Sequence, residues 1–75
     1  QLLGYARARS YRMEAVSLRE IIEKTLILLE YRLSRSGIEV TKHYPEKDIL
    51  VLGDDNHLQQ VIMNILLNAI DAMPN

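Results

Sequence analysis

Apolar residues return along this chain at two different intervals, and the switch between them marks its elements. Over residues 1–12 (QLLGYARARSYR), Leu2, Leu3 and Ala6 keep helical spacing, with arginines on the other faces. A short extended stretch is expected around Glu14 to Val16. From Ser17 the interval is three or four. Ile22, Leu26, Leu29 and Leu33 form one stripe, widened by Ile21 and Leu28, and predict an amphipathic helix. Ser17 with Glu20 fits a capping box, in which the serine oxygen bonds the amide three residues on and the glutamate reaches back. Glu20 and Lys24 are spaced for an i,i+4 ion pair, and Gly37 stands where a left-handed residue would stop the helix. Residues 38–44 (IEVTKHY) then alternate, Ile38 and Val40 against Glu39 and Thr41, which predicts a half-buried strand. Pro45 to Asp48 reads as a turn. Ile49 to Leu52 reads as a second strand, close enough to the first for an antiparallel hairpin. Gly53 and Asp54 end it, and Asp54 is placed to cap a last helix.

That last helix has two unlike faces. At about 100° per residue, Leu58, Val61, Ile62, Ile65, Leu66, Ala69, Ile70 and Met73 fall on one broad arc expected to face a core. Along the opposite side runs a narrow polar row: His57, Gln60, Asn64, Asn68 and Asp71. A plain solvent face would favour Lys, Glu and Arg. Asparagine is a poor choice there, because its amide competes with the backbone for hydrogen bonds. Two asparagines one turn apart ask for a partner, and a neutral amide oxygen suits Mg2+ that shares its shell with phosphates. The pattern alone leaves a solvated face and a ligand row equally open.

Composition narrows the field. With 75 residues, 48% of them hydrophobic, the chain is one domain at most and near the lower limit for a self-sufficient core. A formal net charge of -1 gives no footprint for nucleic acid and no field to hold an anionic membrane. The cluster of Arg7, Arg9 and Arg12 reads as a solvated helix face. The absence of cysteine excludes disulfides and thiolate metal sites. No apolar run approaches the roughly 18 residues of a membrane span, and no signal-peptide pattern is present. The chain starts at Gln1 and stops at Pro74-Asn75 directly after a helix, so it is expected to be a piece of something longer. His43 lacks any partner at ligand spacing and reads as a surface histidine. Asp54 and Asp55 are explained by capping and the helix dipole. The four tyrosines form no evident stacking platform, and Gly4 and Gly53 are too isolated to cradle a phosphate.

The stretch LQQVIMNILLNAIDAMP, with GDDNH before it, resembles the asparagine box of the ATPase family that joins sensor histidine kinases, gyrase-type ATPases and heat-shock chaperones. Asn-x-x-x-Asn-Ala-x-x-Ala, here Asn64 to Ala72, looks most like the histidine kinases, and NAIDAMP resembles their nitrogen-regulation-sensor subgroup. VSLREIIEKTLILLEYRLSRSGIEV looks like the first strand and helix of the same catalytic domain. The resemblance implies an α+β architecture, a fragment of a two-layer sandwich ordered helix, strand, helix, strand, strand, helix. A small, mostly antiparallel sheet would have the two long helices on one face and a raw edge where further strands belong. Residues 1–13 would be the end of a dimerisation helix and its linker, and 14–75 the N-terminal part of the ATP-binding domain.

Site roles follow from the resemblance position by position. Asn68 would coordinate the Mg2+ that bridges the ATP phosphates, and Asn64 would make a second polar contact beside it. Ile65 and Ala69 would wall the adenine. Asp71 joins the nucleotide-contacting set, although it and Ala72 stand where related kinases carry a basic or aromatic phosphate contact. The glycine-rich boxes that hold the adenine and close a lid are missing from these 75 residues, so the chain alone is expected to be inactive. The whole protein would be an ATP-dependent histidine kinase, cytoplasmic in this segment and dimeric through upstream helices. A histidine outside this chain would receive the phosphoryl group and pass it to a response regulator. Two other classes remain: a non-catalytic helical interaction module, and a same-fold ATPase or serine kinase of the anti-sigma-factor type.

Overall fold

A computed structural model describes residues 12–73. The helix expected over 1–12 lies outside them except for Arg12. The elements in order are β1 (Glu14–Ser17), α1 (Leu18–Leu28), α2 (Glu30–Arg35), β2 (Leu50–Gly53) and α3 (Asp55–Ala72). The architecture is α+β, as expected: a two-stranded antiparallel sheet with helices packed beside it.

The pairing of that sheet differs from the expectation. β2 pairs with β1, in the register Glu14↔Gly53, Ala15↔Leu52, Val16↔Val51 and Ser17↔Leu50. Residues 38–44 form no strand, and no hairpin joins them to β2. Side chains, not a backbone ladder, hold this segment against α1. Lys42 Nζ donates to Glu23 Oε1 at 2.9 Å and Tyr44 Oη to Glu23 Oε2 at 2.7 Å. Arg19 lies over the Tyr44 ring, 5.1 Å from its centre, and donates to the Pro45 carbonyl.

The helix ends carry the chemistry their sequences announce. Ser17 Oγ accepts the Glu20 amide at 3.1 Å and also donates to Asp48 Oδ1 at 2.9 Å, so one hydroxyl caps α1 and ties down the approach to β2. The expected Glu20–Lys24 pair gives way to a longer-range one: Lys24 Nζ reaches Asp55 Oδ2 at 3.0 Å. The predicted single helix is divided at Leu29, whose amide is shared between the Thr25 and Leu26 carbonyls. Gly37, at φ +67°, ends α2. Its amide bonds the Ser34 carbonyl and that of Ile38 bonds the Leu33 carbonyl, the pairing of a Schellman motif.

The core is thin. Ile21, Thr25 and Leu29 are buried along one side of the α1–α2 rod, and Ile70 is buried on α3. Thr25, with no exposed surface, satisfies its hydroxyl on the Ile21 carbonyl at 2.8 Å. Leu28, expected to widen the buried stripe, is exposed. Gly53 is buried where β2 turns into α3, and a Cβ there would meet Leu58 Cδ1 at 2.8 Å.

Candidate functional site

The site rests on α3, and α3 is fixed at its start. Asp54 Oδ1 accepts the His57 amide at 3.1 Å, satisfying an amide that has no partner within the helix. Its other oxygen accepts the Arg12 amide at 2.7 Å. These backbone donors, Arg12 first and then His57, hold the Asp54 carboxyl below the usual carboxylate range.

From that anchored start the helix presents two faces. Leu58, Ile62 and Leu66 are half-buried and Ile70 is buried, and together they mark the inward side. Asn64 and Asn68 are exposed on the outward side, stacked one turn apart, with His57 and Gln60 below them and Asp71 above. The broad apolar arc expected from the sequence is therefore too broad. Val61, Ile65 and Met73 are exposed at 38%, 57% and 48%, and Ala69 is exposed with them. The inward side is centred on Ile62 and Leu66, and the ends of the arc swing out beside the asparagines.

This puts the two walls suggested for an adenine, Ile65 and Ala69, in the open next to Asn64 and Asn68. Ile65 also borders a mostly apolar groove of about 310 Å³, which runs between α1, α3 and residues 40–44. Leu26, Tyr44 and Ile62 are among its other lining residues.

Asp71 continues the polar row one turn beyond Asn68, and its Oδ1 accepts a hydrogen bond from the Arg32 guanidinium on α2. Sequence reasoning passed over Arg32. The available signal was negative: α3 contains no lysine or arginine from Asp55 to Ala72, so any cation serving this row must come from elsewhere in the fold. Among the described residues no group of His, Cys, Asp and Glu forms a metal site. A cation held by neutral amides and phosphate oxygens needs no such group. No helix among these residues is long and apolar enough to cross a membrane.

Known proteins similar to this chain are sensor kinases of signal transduction, the histidine kinases. Sporulation kinase C of Bacillus subtilis is 35% identical over 75 residues, 99% of this chain and 18% of its own length. Sporulation kinase A of the same organism is 34% identical over 62 residues, 83% of this chain and 10% of its own. The signal transduction histidine-protein kinase AtoS of Escherichia coli is 30% identical over 73 residues, 97% of this chain and 12% of its own. The chain thus spans less than a fifth of the length of each of these relatives. No protein-family model matches it, and no solved structure does so significantly.

Proposed function

We propose that this chain is the part of an ATP-dependent protein-histidine kinase that carries its Mg-ATP-binding asparagine helix. Residues 14–75 form the N-terminal part of the catalytic domain, and 1–13 the end of a dimerisation helix with its linker. The observation that carries the reading is the exposed stack of Asn64 and Asn68 on a helix whose opposite side packs inward. The likeness to sensor kinases over nearly the whole chain supports it.

On this reading the Asn68 amide oxygen is the Mg2+ ligand and Asn64 the polar neighbour that orients the phosphates. Ile65 and Ala69 offer apolar surface to the base. An asparagine at position 64 cannot accept a proton at neutral pH. That favours transfer of the phosphoryl group to a protein histidine over activation of water. Bound Mg2+ supplies charge neutralisation for phosphoryl transfer, where positioning and electrostatics do most of the work. The acceptor histidine and the response regulator that takes the group on lie beyond these residues.

The test is Asn68→Ala in the full-length protein. Autophosphorylation and Mg2+-dependent ATP binding should both be lost while the circular dichroism spectrum stays the same; retained activity refutes the assignment. The isolated 75-residue chain, without glycine-rich boxes to hold base and lid, should bind ATP very weakly. Micromolar affinity for the chain alone would contradict the division of the site proposed here.

A further inference from the structure

Resting on the nucleotide reading of α3, we infer that Arg32 is the phosphate-facing cation of this site, carried on α2 and aimed along the asparagine row by Asp71. α3 itself supplies no strong cation. Its fixed charges are Asp55 in the first turn and Asp71 in the last, where the helix dipole is also negative. Mg-ATP remains anionic, so a row of two neutral amides ending in a carboxylate would repel its phosphates unless a positive group stood close by.

The fold brings one there. Arg32 and Asp71 lie 39 residues apart in sequence, yet the guanidinium bonds the carboxylate directly. The other described cations with side-chain partners face different groups. Arg19 lies on Tyr44 and the Pro45 carbonyl, and Arg35 on Tyr31. Lys24 is paired with Asp55, and Lys42 with Glu23. Only Arg32, among these, ends on the polar row. Both partners are open to solvent, with side chains 48% and 63% exposed. An ion pair that exposed contributes little to stability, but its outer side is accessible to a ligand. The contact to Asp71 uses one terminal nitrogen. The rest of the planar fork keeps donors suited to phosphate oxygens. Asp71 is then a positioning residue: its contact holds the guanidinium one turn past Asn68, where the remaining Arg32 donors would meet phosphate oxygens.

The experiment measures ATP affinity in Mg2+ and adenosine affinity by competition, both on the full-length protein. Arg32→Gln should weaken ATP about tenfold and leave adenosine unchanged. Arg32→Lys should recover part of the loss. Asp71→Asn should weaken ATP less than Arg32→Gln, and the double variant should be no worse than Arg32→Gln alone, since Asp71 acts through Arg32. Asn68→Ala is the control that separates the two claims. If it impairs ATP binding while Arg32→Gln does not, the Arg32 role is overturned and the nucleotide reading stands. If neither changes ATP binding, both fall. Equal losses of ATP and adenosine in Arg32→Gln would mark a purely structural pair and overturn the inference as well.

Discussion

At the scale of single residues, Gly53 shows how a backbone requirement can sit inside a strand end. With a Cβ only 2.8 Å from Leu58 Cδ1 and 3.4 Å from its Cγ, alanine forces Leu58 aside. Gly53→Ala should cost about 1–2 kcal/mol, the range for mild overpacking. Pairing it with Leu58→Ala should give a loss smaller than the sum of the two, as read by denaturant titration. Gly37 makes the opposite case. Nothing lies within 4 Å of its missing Cβ, so only its positive φ resists substitution. Gly37→Ala should cost about 1 kcal/mol through backbone strain alone. Gly37 was legible from sequence because its work is local. Leu58 as the partner of Gly53 was not, because only the turn from β2 into α3 brings them together.

At the scale of elements, caps are more readable than partners. Ser17 and Asp54 announce the starts of α1 and α3, and both accept the expected amides. Ser17→Ala should cost about 1 kcal/mol from the cap. The same substitution frees Asp48, so it should also speed proteolysis between residues 42 and 49. Asp48→Asn, which keeps an oxygen for the serine to bond, should not. The alternation in IEVTKHY predicts a strand, and nearness in sequence suggests a hairpin with Ile49 to Leu52, but neither signal weighs the more distant β1 as a competitor for that edge. Here Lys42 and Tyr44 are committed to Glu23, and β1 takes the place beside β2. The α3 wheel likewise gives the width of an apolar arc and cannot say which part a neighbour covers. Packing against α1 selects the side of Ile62 and Leu66 and leaves Val61 and Ile65 beside the asparagines. The asparagine row was therefore plain in the sequence. Arg32, arriving from another helix, was not.

Across the whole molecule, Glu23 ties residues 42–44 to α1, and its ionisation should govern how firmly they stay. The Lys42 ammonium, followed by the Tyr44 hydroxyl, holds its carboxyl below the usual glutamate range. A depressed carboxylate contributes stability above its unfolded pKa and loses it as pH falls through the folded value. Tyr44 is pushed up by the same bond to Glu23. Its contribution is complete below the ordinary tyrosine range and fades as pH rises through the raised folded value. Protease sensitivity of residues 38–48 should therefore be lowest near neutral pH and rise on the acid and the strongly alkaline sides. Glu23→Gln should flatten the acid limb; an unchanged acid limb would show that the tether lies elsewhere.

Large apolar side chains such as Leu50, Leu52 and Ile65 are well exposed, and few described residues are buried. The 75-residue chain by itself should therefore bind an apolar dye and unfold over a broad denaturant range.

The pairing of β1 with β2 also bears on the order of events as the chain folds. Glu14 faces Gly53, and the Arg12 amide reaches Asp54 across 42 residues of sequence. Closing so long a loop costs entropy before any ladder bond repays it. The helices, whose bonds are local, can form and dock first, and the strands then zip across a gap already narrowed. Substitutions at Val16 should thus chiefly raise the unfolding rate, while those at Ile21 should slow folding.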